Sequence, residues 1–268
     1  MRRPKRSLSQ NFLVDPNLQR KVVEELALRP GEAVLEVGAG RGELSRHLVG
    51  WASPLVLVEK DDALASELEG RWGGRGDVRV VHADALEIDL VSLVSERRYR
   101  VLSNLPYAIT SPLLFRFLAL DPPPRRIVVT VQREVAERIV ASPGGKEYGA
   151  LTVGVRARGD AALAFDVPRG AFRPVPSVDS ATVRIEPDPR RLAALPEPAL
   201  RRLTRAAFGR RRKQLQTILR STPEYGLSRE EAEEVCRELG VDARIRPERL
   251  PPEVFVRLAR RLEAMRPG

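Results

Sequence analysis

Apolar residues along this chain fall into two rhythms, and the change from one to the other divides it. In the first rhythm, short runs recur. Ala33–Val37, Leu55–Val58, Val78–Val81, Tyr99–Leu102 and Arg126–Val131 are rich in valine and leucine. Each gives way to glycine or polar residues, which predicts β-strands. Between them the spacing turns helical. Leu18, Val22, Val23 and Leu26 follow a helix start at Asp15-Pro16-Asn17. Leu44, Leu48 and Val49 resume that spacing after a glycine cluster, and Ala63–Trp72 and Leu113–Leu118 repeat it. Strands this apolar, alternating with helices, predict a parallel sheet covered on both faces. Near residue 186 the rhythm changes. Pro187, Pro189, Pro196 and Pro198 form a linker-like stretch, and only helical patterns follow: Ala199–Phe208, Arg211–Leu219, Arg229–Leu239 and Glu253–Met265. Ser228-Arg229-Glu230-Glu231 has the form of a capping box. The expectation is an α/β domain over residues 1–186 and a small helical domain over 187–268.

Charge adds a partner to this outline. The net charge of +10 is concentrated in two zones. Residues 1–21 carry six basic side chains against Asp15, and residues 190–213 carry nine against Glu197. Two basic zones flanking a mildly acidic body favour a polyanion such as nucleic acid over a merely solvated face. No apolar run approaches the roughly 20 residues that span a bilayer, so no membrane segment is expected. The basic N-terminus leads into Ser-Leu-Ser-Gln-Asn rather than an apolar core, unlike a secretory signal. Cys236 is the single cysteine, which excludes an intramolecular disulfide and fits a reducing cytoplasm. His47 and His82 lack metal-ligand spacing, so no metal is expected.

Candidate chemistry gathers where the predicted strands end. The first ends in Glu36-Val37-Gly38-Ala39-Gly40-Arg41-Gly42, the second in Glu59, the third in Asp84 and the fourth in Asn104. Ligands of an open parallel sheet bind beyond those ends. Gly38 and Gly40 would let backbone approach a ligand, and Glu59 could accept hydrogen bonds from both hydroxyls of a ribose. The nicotinamide fingerprint requires glycine at position 43, where this chain has Glu43; its third glycine, Gly42, comes one position early. The spacing instead resembles the cofactor loop of class I S-adenosylmethionine-dependent methyltransferases. Asp84 reads equally as an adenine ligand or as a cap for the residues after it.

The fourth strand end reads Asn104-Leu105-Pro106-Tyr107, and it holds one of only three asparagines in the chain. It is similar to the Asn/Asp-Pro-Pro-Tyr motif of amino methyltransferases. The exocyclic nitrogen of adenine is a poor nucleophile because its lone pair is delocalised into the ring. Two acceptors aimed at its N–H groups, the Asn104 side-chain carbonyl and the Leu105 backbone carbonyl, would favour a tetrahedral nitrogen and stabilise its developing positive charge. Pro106 would hold the bend still, and Tyr107 would offer a face for an extruded base. A β-turn with a core tyrosine is the alternative.

Further segments extend the likeness. Ser9-Gln10-Asn11-Phe12-Leu13-Val14-Asp15, Glu147-Tyr148-Gly149, Phe172-Arg173-Pro174-Val175-Pro176-Ser177-Val178 and Phe208–Lys213 resemble, in order, motifs of the ribosomal RNA adenine N6-dimethyltransferases. Ser9 stands where that family has glycine, and Ala108 where it commonly has asparagine. The resemblance implies a Rossmann-like class I methyltransferase sheet with a small all-helical C-terminal domain, and S-adenosylmethionine as cofactor. Asn11, Leu13, Gly38, Gly40, Glu59, Asp84 and Asn104 are then cofactor residues. Asn104, Leu105, Pro106 and Tyr107 surround the target base, and Phe172 is its second stacking surface, though an aromatic before two prolines is as often a core plug. Arg210, Arg211, Arg212 and Lys213 would bind RNA. Leu105, the segment from Tyr148 to Val153 and the arginine run favour the branch that dimethylates two adjacent adenines near the 3′ end of small-subunit rRNA. The partner is then that rRNA within the small ribosomal subunit or its precursor, met by a monomer in the cytoplasm. The in-family rival dimethylates large-subunit rRNA and confers macrolide resistance.

Overall fold

The computed structural model describes residues 11–94 and 98–265. The basic side chains Arg2, Arg3, Lys5 and Arg6, and the residues Ser9 and Gln10, lie outside the described residues. The chain divides into two compact units, one of residues up to Ala136 together with Asp160–Pro187, the other of Glu137–Gly159 together with Asp188 onward.

The first unit is built on a seven-stranded sheet. Its strands are β2 (Ala33–Val37), β3 (Leu55–Glu59), β4 (Val78–His82), β5 (Tyr99–Asn104), β6 (Arg126–Gln132), β7 (Gly159–Val167) and β9 (Ser180–Pro187). They stand in the order β4-β3-β2-β5-β6-β9-β7. β2 to β6 run parallel, and β9 returns antiparallel to β6. Every residue of β2 and β3 is buried, as their unbroken apolar runs require of strands covered on both faces. The strand order reverses direction between β2 and β5, so the connections that leave their carboxyl ends part and a crevice opens beyond them. A separate two-stranded ribbon pairs β1 (Phe12–Leu13) with β8 (Phe172–Arg173), Leu13 opposite Phe172.

Helix α1 (Pro16–Glu24) starts as the sequence predicts: Asp15 Oδ1 accepts from the N–H groups of Asn17 and Leu18, and Pro16 occupies the first turn. Helices α2 (Asp62–Trp72) and α3 (Thr110–Leu118) follow. Where Leu44, Leu48 and Val49 predict an α-helix, the chain instead forms a 3₁₀ turn, Ser45–His47, with bonds of both i→i−3 and i→i−4 spacing around it. Leu44, Leu48 and Ala52 are nevertheless buried at four-residue spacing. The apolar rhythm reports the buried face, not the hydrogen-bond pattern.

The second unit is helical and has its own core. Helix α4 (Arg133–Val140) leads into it, and α5 (Ala150–Arg156), α6 (Pro189–Ala193), α7 (Glu197–Gly209), α8 (Leu215–Ser221), α9 (Arg229–Glu238) and α10 (Pro252–Ala264) make it up. Tyr148 and Val153 join Leu200, Leu203, Phe255 and Leu258 in one apolar cluster. The sequence reading draws one boundary near 187, whereas this unit is made of two stretches, the second opening at Asp188. Residues 137–159 also pack with it, because their apolar side chains complete its core rather than that of the sheet. The expected helix over Arg211–Leu219 begins only at Leu215, since Arg210–Lys213 form a turn. The capping box at α9 forms in full: Ser228 Oγ accepts from Glu231 N at 3.1 Å, and Ser228 N donates to Glu231 Oε2 at 2.7 Å. No helix among the described residues is long and apolar enough to cross a membrane.

Candidate active site

Beyond the carboxyl ends of β2, β3 and β5, the first unit opens into a cleft with a cavity of about 230 Å³. Its floor is the glycine loop after β2. Gly38, Gly40 and Gly42 all take positive φ, between 61° and 78°, a region costly for any residue with a Cβ. At Gly38 nothing lies within 4 Å of where a Cβ would stand, so its backbone faces open space in the cleft. At Gly42 a Cβ would meet the Trp72 ring at 2.5 Å. Gly42 therefore serves packing, and Gly38 leaves room for a ligand.

The loop is tied to the next strand end. Gly40 N donates to Glu59 Oε2 at 2.8 Å, and Asp61 N donates to Glu59 Oε1 at 2.8 Å. Both carboxylate oxygens are thereby fixed in place, and each keeps a further lone pair. Asp84 ends the next strand connection. Its Oδ1 accepts from Leu86 N at 2.9 Å, and its Oδ2 pairs with Lys60 Nζ at 2.5 Å. That hydrogen bond from Lys60 holds the Asp84 carboxyl below the usual carboxylate range. Asp84 is thus both a turn cap and a cleft residue, and the two readings are compatible.

The roof comes from the N-terminal ribbon. Asn11, Phe12 and Leu13 line the cleft. Leu13 is held from behind by Gln19, a fully buried side chain whose Nε2 donates to Leu13 O at 2.6 Å. Gln19 has no role in the sequence-based reading; its signal is a polar residue at helical spacing with the buried Val22 of an otherwise polar helix.

The bend after β5 closes the remaining side. Ser103 Oγ donates to Val37 O at 2.7 Å and ties the ends of β5 and β2 together. Asn104 Nδ2 donates to Asn11 O at 2.9 Å. That bond fixes the amide and identifies Oδ1 as its free acceptor end. Pro106 is extended, with φ −59° and ψ 129°, and its carbonyl accepts from Ile109 N. Tyr107 is half-buried, and its hydroxyl lies 2.8 Å from Ser180 Oγ, which restrains the ring. Asn104, Leu105, Pro106 and Tyr107 all line the cleft that holds Gly38, Gly40, Glu59 and Asp84.

Phe172 is a correction. Its side chain is fully buried in the core of the first unit beside Leu13, Val167 and Ala171, and it is not among the residues lining the cleft. It packs as a core plug that anchors the ribbon and presents no face for a base. Arg211 also departs from expectation. Its Nε donates to Glu248 Oε2 at 2.8 Å, and its terminal nitrogens donate to Lys146 O at 2.8 Å and Gly145 O at 2.9 Å. It clamps the turn before Tyr148 inside the second unit. Arg210, Arg212 and Lys213 are exposed, with Arg210 donating to Ser221 Oγ at 2.6 Å.

The cleft suits one kind of ligand. It offers backbone at a glycine loop, two fixed carboxylates at strand ends, and a buried carboxylate, Glu36, whose Oε2 has no hydrogen-bond partner. That set fits a nucleoside carrying positive charge. On fold and site together, the protein is a class I S-adenosylmethionine-dependent methyltransferase.

The comparisons with known proteins narrow the class. A family model described as ribosomal RNA adenine dimethylase matches residues 1–263. The ribosomal RNA small subunit methyltransferase A of Moorella thermoacetica is 38% identical, with 97% of this chain and 93% of that protein covered. The protein of the same name from Geobacter metallireducens is 38% identical over 98% of this chain and 97% of its own length. Among solved structures, a dimethyladenosine transferase from Plasmodium falciparum shares the fold with a TM-score of 0.83 at 24% identity, covering 94% of this chain and 98% of that one. The 23S rRNA methyltransferase ErmE gives a TM-score of 0.71 at 28% identity, covering 94% and 99%. The chain belongs to the ribosomal RNA adenine dimethylase family.

Proposed function

We propose that this enzyme transfers methyl groups from S-adenosylmethionine to the N6 atoms of two adjacent adenines near the 3′ end of small-subunit rRNA, as a monomer acting in the cytoplasm on the small subunit or its precursor. The relatives named for the small subunit, at 38% identity over nearly their whole length, support that target. The hydrogen bond from Asn104 Nδ2 to Asn11 O carries the chemical reading, because it leaves Oδ1 as the acceptor.

When bound, the donor supplies an electrophilic methyl group. The residues of the bend do the rest. Asn104 Oδ1 and the Leu105 carbonyl accept the two hydrogens of the adenine amino group and draw its lone pair out of the ring plane. The same two acceptors stabilise the positive charge that develops on nitrogen. No general base is required beforehand, since the product ammonium loses its proton readily to water. Pro106 holds the acceptors in one geometry, and Tyr107, restrained through Ser180, offers its ring to the extruded base. Asn11, Leu13, Gly38, Gly40, Glu59 and Asp84 hold the donor. Arg210, Arg212 and Lys213 contact the RNA backbone, which positions the substrate without reading its sequence.

Incubation with undermethylated small subunits and, in parallel, undermethylated large-subunit rRNA, each with labelled donor, followed by mapping of the modified bases, tests this. Label in two adjacent adenines near the 3′ end is the expected result. Label confined to large-subunit rRNA would transfer the enzyme to the rival branch, and label in neither would defeat the reading.

A further inference from the structure

Glu36 lies beneath the donor cleft with no role in the chemistry above. It sits in the middle of the sheet, opposite Leu57 of β3 and Leu102 of β5, and is 2% exposed. Its Oε2 has no hydrogen-bond partner among the described residues. The buried Ser45 hydroxyl is the one neighbour that favours the ionised carboxyl, and its influence is smaller than that of burial. It nevertheless lines the cleft. The charged groups around it are of the wrong sign to help. Glu43, from the loop after β2, and Glu59, at the end of β3, both act on it as like charges.

Among the described residues, the nearby cations are directed elsewhere. Arg41 lies over the Phe12 ring and, with Arg46, acts on Glu43. Arg46 and His47 contact Gln19, and Lys60 is paired with Asp84. Asn104, at the end of β5, is uncharged. A buried carboxylate without a partner ion is costly, and it resolves that cost by holding a proton.

We infer that Glu36 is a proton-holding residue under the donor site, neutral in the unliganded protein and ionised when the cationic donor binds, so that binding releases a proton. This rests on the S-adenosylmethionine reading of the cleft. Burial, reinforced by Glu43 and Glu59, pushes the Glu36 carboxyl up to about 8. The donor carries a sulfonium and an ammonium against one carboxylate, for a net charge of +1. Placing that charge in the cleft favours the ionised form of Glu36. The proton passes from the carboxyl to buffer, and the resulting carboxylate neutralises the donor's surplus charge. The demethylated product has lost the sulfonium charge, so it stabilises ionised Glu36 less. Glu36 thereby favours donor over product by charge.

Isothermal titration of the full-length protein with S-adenosylmethionine, in two buffers of different ionisation enthalpy, counts the protons. At pH 6.5 the donor's own amino group remains protonated, so the count belongs to the protein. The expected result is close to one proton released per donor bound. Donor affinity should weaken about tenfold for each pH unit below the Glu36 pKa. In Glu36→Gln the proton count should fall to near zero and the pH slope should flatten. A wild-type count near zero, with donor bound, overturns the inference and leaves the cofactor reading intact. A full proton still released by Glu36→Gln overturns it equally. Absence of any donor binding by wild type would overturn the cofactor reading itself. Should Glu36→Gln fail to fold, the wild-type count and pH slope decide alone.

Discussion

The cleft of the first unit and the helical core of the second use sequence motifs in opposite ways. In the cleft, the motif residues keep unused capacity. Glu59 retains lone pairs, Asn104 presents a free carbonyl, Glu36 Oε2 has no hydrogen-bond partner among the described residues, and Gly38 borders open space. In the second unit the motif residues satisfy one another. Tyr148 is fully buried, and its hydroxyl donates to Leu250 O at 2.5 Å. Its ring meets Phe208 edge-on with centroids 5.9 Å apart, and Phe208 stacks on Phe255 at 5.5 Å. Arg211 clamps the Gly145 and Lys146 carbonyls just ahead. A motif whose polar groups are all partnered builds a scaffold; one that leaves partners open awaits a ligand.

The largest effect should come from the cleft. Asn104→Ala is expected to reduce methyl transfer by about 10³-fold or more, while donor affinity, measured by equilibrium dialysis, changes less than about tenfold. Wild-type turnover in that variant would defeat the mechanism. The converse variant is Tyr148→Ala, which should cost about 3–5 kcal/mol of stability, as truncation of a buried aromatic does. Donor affinity should remain at the wild-type value in conditions where the variant is folded. A loss of donor affinity without loss of stability would erase the contrast between the two regions.

Acid–base behaviour gives a smaller effect. The unfolded chain releases the Glu36 proton near 4.5, whereas the folded protein holds it to about 8. Between those values the folded state binds more protons, so this group's contribution to stability falls as pH rises and levels off above the upper value. The fall should be on the order of a few kcal/mol. It should disappear in Glu36→Gln, as followed by chemical unfolding across that range. The smallest effects lie on the basic turn. Arg212→Ala and Lys213→Ala should each reduce the salt dependence of rRNA binding by about one unit of log–log slope, with little change in stability. Arg211→Ala should instead lower stability by about 1–3 kcal/mol, since it leaves Glu248 and two carbonyls without their donor. An unchanged salt slope on neutralising Arg210, Arg212 and Lys213 together would remove that turn from RNA binding.

Much of the first unit is legible in the sequence, because β2, β3, β5 and β6 are buried along most of their length and, with the edge strand β4, form short valine- and leucine-rich runs that stop abruptly. β7 and β9 were not. β7 mixes Asp160 and Asp166 with alanines at the sheet edge, so most of it is only partly buried and carries no strong rhythm. The turn after Gly42 has helical apolar spacing without an α-helix, since burial at four-residue intervals does not require one bonding pattern. α5 was unread because its partners are more than forty residues away in α7 and α10. In the site, the strand-end residues were legible as letters, but their division of labour was not. Gln19 and Lys60 act through partners far along the chain, Arg46 and Asp84, and Glu36 through its burial. Phe172 and Arg211 are read from motif position as ligand-facing, and tertiary packing turns both inward.

Crystals soaked with S-adenosylmethionine should show the ribose hydroxyls on Glu59 and the sulfonium methyl facing Asn104 Oδ1 and the Leu105 carbonyl. A donor bound in the cleft with its methyl turned away from those two oxygens would rule out methyl transfer at the Asn104 bend.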